Sequence, residues 1–132
     1  MPHLVIEYSA NVEDRIALGD LLDKLHACAL TTGVFPLGGL RVRAYRADAY
    51  RIADKAPDNG FVHVTALIGH GRPLDVQQRA GQELLAAVSE HLEPLFAQRP
   101  LAISLNVQEM HPVLNFKKNN LHEYVQKRRG KA

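Results

Sequence analysis

Apolar residues recur along this chain with two different periods, and the changes of period mark out its elements. Leu4-Val5-Ile6 are consecutive apolar positions running into Glu7-Tyr8-Ser9, a pattern that predicts a strand buried on both faces. Asn11 then stands as an N-cap candidate with Glu13 and Asp14 behind it, where carboxylates oppose the positive end of a helix dipole. The helix it predicts carries Leu18, Leu21, Leu22, Leu25, Cys28 and Ala29 on one face and stops at Gly33. Phe35 to Gly39 is turn-rich. From there Leu40, Val42 and Ala44 alternate with Arg41, Arg43 and Tyr45, which predicts a second strand. Ala53 to Gly60 is polar, with Pro57, Asp58 and Asn59, and reads as a surface loop.

The same order then repeats. Phe61 to Ile68 is rich in β-branched residues and predicts a third strand. Asp75 opens a helical stripe of Val76, Ala80, Leu84, Leu85, Val88, Leu92 and Leu95, which Pro94 should kink or end. Leu101, Ile103, Leu105 and Val107 alternate with polar partners as a fourth strand. From Met110 onward the chain is polar, and a short ordered arm fraying from about Gln126 is expected. Equivalent strands lie about sixty residues apart. The chain therefore reads as one domain, 1–132, with an internal duplication of about 1–55 and 61–110 and a C-terminal arm of about 111–132. The fold class is α/β (α+β): two fused βαβ units, each with a right-handed crossover, form a four-stranded sheet with two helices on one face. Two helices cover only one face of that sheet, so the doubly apolar first strand predicts that the other face meets further subunits.

Composition narrows the function classes. With 46% hydrophobic and 23% charged residues the chain is an ordinary globular one. A net charge of +2 does not make a nucleic-acid protein. No stretch approaches the ~20 apolar residues of a membrane span. The single Cys28 belongs to the first helical stripe and suits a reducing compartment, so a cytoplasmic protein is expected. Seven histidines occur without an HExxH or paired Cys/His spacing, so no metal site is expected. Ser9, Ser89 and Ser104 lie in no nucleophile elbow. Pro2 on its own reads as the opening residue of a strand, where its missing N–H costs nothing, and the alternative is a chemical one. A small second residue lets Met1 be removed, which leaves a secondary amine; burial and neighbouring cations would hold that amine neutral.

A resemblance covers nearly the whole chain. Met1-Pro2-His3-Leu4, Gly39-Leu40-Arg41-Val42-Arg43, Phe61-Val62-His63-Val64, Gly69-His70-Gly71-Arg72 and the run Glu109 to Lys117 stand together in an order and spacing that resembles the 5-carboxymethyl-2-hydroxymuconate isomerases of the tautomerase superfamily. The resemblance implies a homotrimer, no cofactor, and an amino-terminal proline acting as general base on a small anionic dienol acid in homoprotocatechuate breakdown. By position Pro2 is the catalytic base, and Arg41 and Arg72 bind substrate. Asn115 and Phe116 either line the pocket or anchor the arm. The basic run Lys127-Arg128-Arg129-Gly130-Lys131 has no counterpart in it.

The chemistry fits those residue types. Moving a proton on a 2-hydroxydienoate needs one group that takes it and returns it, and a near-neutral prolyl amine does both. Planar guanidinium groups hold carboxylates bidentately and stabilise dienolate charge; as cations they would also lower the amine pKa. Two rivals remain open at this stage: a ferredoxin-like binding or regulatory module, which shares the two βαβ units and needs no free Pro2, and a tautomerase acting on a different dienol acid. A strand arginine is otherwise usually a solvated side chain, and Gly69-His70-Gly71 is otherwise simply a turn.

Overall fold

A computed structural model describes residues 1–130; Lys131 and Ala132, which end the expected arm and its basic run, lie outside the described residues. The elements follow in the order β1 (His3–Ser9), a 3-10 turn (Ala10–Arg15), α1 (Leu18–Thr31), β2 (Arg41–Ala47), β3 (Gly60–Ile68), α2 (Leu74–Phe96), β4 (Leu101–Glu109) and α3 (Leu121–Gly130). The sheet order is β2-β1-β3-β4, parallel within each βαβ unit and antiparallel where β1 meets β3. A four-stranded mixed sheet with helices packed on it is the expected α+β class.

The core lies between the sheet and the two long helices. Leu4, Ile6 and Tyr8 of β1 and Val62, Val64, Ala66 and Ile68 of β3 are buried, and they meet Leu21, Leu25 and Ala29 of α1 and Leu84, Val88 and Leu92 of α2. Each fully buried aliphatic side chain of this kind stabilises the fold by about 1.5–3 kcal/mol relative to exposure. Leu101, Ile103, Leu105 and Val107 of β4 are half-buried against the same core.

Three details depart from the pattern-based expectations. Asn11 does not cap α1: its amide nitrogen donates to the carbonyls of Asn59 (2.8 Å) and Pro57 (3.2 Å), so the chain makes a 3-10 turn first, and α1 begins after Ala17 at φ 46° with no side-chain cap. The exposed face of β1 is not apolar. Leu4 and Ile6 share the helix-covered face, which leaves His3, Val5 and Glu7 on the other; Glu7 is exposed and the other two are half-buried. A three-residue apolar run supplies only one side chain to its second face. Finally, where fraying from about Gln126 was expected, the arm is built as a helix that runs on to Gly130. Asn119 caps α3 by accepting the Leu121 N–H at 2.9 Å, and the basic residues of the last turn sit at the negative end of the helix dipole. Lys127 and Arg128 lie over the Tyr124 ring at 5.4 and 5.8 Å. Pro94 falls within α2, which ends two residues later at Phe96. Gly33, at φ 80°, follows the end of α1 as expected.

Residues 48–59 connect the two units. The connection turns through Ala53 and Lys55, both at positive φ (51° and 70°), and is tied by Asn59, whose side chain donates to the Ile52 carbonyl and to Asp54.

Candidate active site

The antiparallel centre of the sheet puts the start of β1 beside the end of β3, with His3 opposite Leu67. The segment that follows β3, Gly69 to Pro73, therefore arrives next to Pro2. The turn before β2 arrives from the other side: the N–H groups of Gly39 and Leu40 both donate to the Pro36 carbonyl at 3.0 Å, and the Arg41 N–H donates to the Pro2 carbonyl at 3.2 Å. This turn is pressed onto the proline so closely that a Cβ added at Gly39 would lie 3.1 Å from Pro2 Cδ.

Between these segments lies a cavity of about 170 Å³. Met1, Pro2, Val34, Pro36 and Gly39 line it together with Gly69 and Arg72. Pro2 is buried and Arg72 is half-buried. The guanidinium of Arg72 folds back over Gly69, where an added Cβ would be 3.5 Å from it, and its main-chain carbonyl accepts a hydrogen bond from Gln77 at 2.8 Å. Gly71, at φ 109°, makes the turn that brings Arg72 round, and its N–H donates to Glu109 at 2.9 Å. Arg41 is not a lining residue; its guanidinium donates to the carbonyl of Gly39, which is one, at 2.7 Å.

Two further lining residues, Lys117 and His122, come from the arm. Asn119 ties the arm down by donating to the Gly38 carbonyl at 3.0 Å. The His122 ring occupies the space that a side chain at position 38 would need: a Cβ on Gly38 would lie 2.3 Å from its Nδ1.

The amine at the chain's start is held below its ordinary value, first by burial, then by the charges of Lys117 and Arg41, in that order. Arg72 does not figure among those charges, although the sequence pairs it with Arg41. Next along the strand, His3 is also lowered, by burial and then by Arg43, Arg41 and the terminal amine; Arg43 reaches its Nδ1 at 2.9 Å. The region is thus cationic with an apolar lining, a setting that keeps an amine unprotonated and attracts a polyanion.

Of the residues singled out in the sequence, Pro2 and Arg72 line this cavity; Arg41 does not line it, and is linked to it through its hydrogen bond to Gly39 and its charge on the terminal amine. Asn115 and Phe116 do not line it either: both are exposed, Phe116 at 84%. Lys117 and His122 were missed as site residues. The available signal was the Gly38-Gly39 pair, since two adjacent glycines before a strand leave room for something packed directly on the backbone. Among the described residues no three His, Cys, Asp or Glu side chains converge as metal ligands would, and no helix is long and apolar enough to cross a membrane.

Comparison with known proteins bears on this geometry. Residues 2–125 match the sequence model of a family described as 5-carboxymethyl-2-hydroxymuconate isomerase. A protein of Escherichia coli named 5-carboxymethyl-2-hydroxymuconate Delta-isomerase is 40% identical over 122 residues, which is 92% of this chain and 97% of that protein. The crystal structure of a 5-carboxymethyl-2-hydroxymuconate isomerase from Deinococcus radiodurans R1 superposes with a TM-score of 0.88 at 38% identity, covering 94% of this chain and 93% of that one. A structure described as the wild-type symmetric trimer of a fused 4-OT shares the fold at 15% identity, with a TM-score of 0.64 over 89% of this chain and 94% of that one.

Proposed function

The chain belongs to the 5-carboxymethyl-2-hydroxymuconate isomerase family, and from that premise we propose that it converts 5-carboxymethyl-2-hydroxymuconate to the unsaturated 2-oxo acid with Pro2 as general base. Loss of Met1 makes the Pro2 nitrogen a secondary amine in the lining of the cavity, subject to the burial and the cations that already lower the amine one residue earlier. The unprotonated amine takes the proton of the 2-hydroxyl. The oxygen's electron pair forms the C2 carbonyl, the double bonds shift along the chain, and the amine returns the proton at the far carbon of the diene. Nothing is oxidised or reduced, and no cofactor is called for. Arg72 and Arg41 hold carboxylates and stabilise the dienolate as its charge spreads.

The observation that carries this reading is the burial of Pro2 in a cavity it shares with Arg72, next to a half-buried Met1 whose amine is held below its ordinary value by desolvation and then by Lys117 and Arg41. The test is an ultraviolet assay of ketonisation with purified protein whose intact mass has been measured. Protein lacking Met1 should turn the substrate over; a processed, folded protein without activity would overturn the reading. A role in homoprotocatechuate breakdown inside the cytoplasm belongs to the same proposal, as does a closed homotrimer, the assembly named for the fused 4-OT relative. Light scattering should then return three times the 14.7 kDa chain mass. The mixed polar face of His3, Val5 and Glu7 makes that contact one of hydrogen bonds and charge as much as apolar burial.

A further inference from the structure

The substrate proposed above is a triacid, and the cavity is bordered by a third cation that family position did not single out. Lys117 lines the cavity together with Pro2 and Arg72, and it also lines an adjoining hollow of about 270 Å³ with Met1, Asn119 and His122. It enters no ion pair among the described residues. Its position is set by two contacts of the arm, the Asn119 hydrogen bond to Gly38 and the seating of His122 on that glycine. Ligand pockets usually measure ~300–1,000 Å³, so the 170 Å³ beside Pro2 takes only part of such a molecule. The hollow that shares Met1, Lys117 and His122 with it offers the adjoining space.

Resting on the isomerase reading, we propose that Lys117 is a specificity-determining residue: from the folded-back arm it holds the carboxylate of the carboxymethyl branch, and so selects tricarboxylate over dicarboxylate dienols. Two arginine forks account for the two carboxylates of the muconate backbone, with fixed planar geometry. A branch with free rotation is better met by a point charge on a flexible stem, which is what a lysine offers. The same ammonium lowers the amine at the chain's start, so its removal also affects the base. That effect acts on every substrate alike and cancels in a ratio.

The experiment compares kcat/KM for 5-carboxymethyl-2-hydroxymuconate and for 2-hydroxymuconate, the same dienol acid without the branch, in wild type, Lys117→Met, Lys117→Arg and Asn119→Ala. Lys117→Met should lower the triacid-to-diacid ratio by about tenfold, in line with loss of one charge-assisted contact, chiefly through KM. Lys117→Arg should restore most of the ratio, and Asn119→Ala, which unties the arm, should shift it the same way as Lys117→Met. An unchanged ratio in Lys117→Met would overturn the inference, whether both activities fall together or neither falls. A wild type that turns over neither acid would be a different failure, that of the isomerase reading, and would take this inference with it.

Discussion

The two ends of the central strand pair are built alike and equipped differently. At each end the first strand of one βαβ unit starts beside the finish of the other's, with His3 opposite Leu67 at one end and Tyr8 opposite Val62 at the other. At the Gly60 end most polar groups are paired with one another, the buried Nε of Arg99 being the exception among the described residues. The buried Ser9 hydroxyl accepts the Phe61 N–H at 3.0 Å and donates to Asn11 at 2.7 Å, Asn11 donates to the Asn59 carbonyl, and Arg99 donates to the carbonyl of Asp58. The Gly60 nitrogen is an ordinary peptide that donates to the Pro100 carbonyl. At the Pro2 end there is a cavity, a terminal amine, and three cations without acidic partners among the described residues: Arg41, Arg72 and Lys117. The same architecture is closed for stability at one end and left electrostatically unfinished at the other. Architecture alone does not choose where the chemistry sits.

The contrast breaks most severely at Pro2. Pro2→Ala should keep the fold and lower kcat within the ~10²–10⁴-fold range of general acid–base catalysis, toward the lower part because alanine still offers a primary amine. Steady-state kinetics on protein of verified mass checks this; wild-type turnover would remove Pro2 from the mechanism.

Arg72→Ala comes next. Loss of a charge-assisted hydrogen-bonded contact worth about 1.5–3 kcal/mol should lower kcat/KM by roughly 10- to 150-fold at 1.4 kcal/mol per tenfold, and lysine should rescue it only in part. The two arginines should separate in a pH profile. A lowered amine pKa leaves the base unprotonated at lower pH, so removing a cation that lowers it moves the acid limb of kcat/KM upward. Arg41→Ala should show that shift because Arg41 acts on the amine, whereas Arg72→Ala should show chiefly weaker binding.

At the closed end, Gly60→Ala should do the reverse of Pro2→Ala. The added Cβ would lie 2.6 Å from Cγ1 of the fully buried Val12. Overpacking of this kind costs about 1–3 kcal/mol, which should appear as a lower urea midpoint with kcat unchanged well below the transition. A large fall in kcat in a fully folded variant would show that the two ends are not independent.

The smallest effect is on His3. Its folded-state pKa lies below the ordinary 6.5 through burial and then Arg43 and Arg41, so the unfolded chain binds the proton more readily, and stability declines as pH falls through that region. Arg43→Gln should raise the His3 pKa toward 6.5 and soften that decline, read by an NMR titration of the ring and by unfolding at pH 5 and 8. An unmoved His3 pKa would show that Arg43 takes no part in setting it, leaving burial, Arg41 and the terminal amine.

Most of this architecture was legible in the chain because it rests on periodicity. The alternation of Leu101 to Val107 and the stripe from Leu21 to Ala29 each have a single geometric solution, and Gly33 ended α1 where a left-handed residue was needed. What escaped reading depends on contacts distant in sequence. Asn11 looks like a cap until Asn59 and Pro57 are beside it. Glu7 takes no part in a covered face, since strand direction rather than local apolarity decides which side chains share a side. For the candidate site, Pro2, Arg41 and Arg72 were singled out through a resemblance in order and spacing, but Lys117 stands in a polar stretch with no period, where one more cation carries no signal until the arm is folded onto Gly38.

Residues 48–59 make the meeting of β1 and β3 a unimolecular event, at an effective concentration of order millimolar for a short connection and so indifferent to dilution. They also abolish a constraint. Two identical chains related by a twofold axis would carry every side chain at both ends of the sheet, and a substitution that opened one end would open the other. On a single covalent chain each position occurs once, so Arg72 can be placed at one end while Ser9, Asn11 and Asn59 knit the opposite end shut.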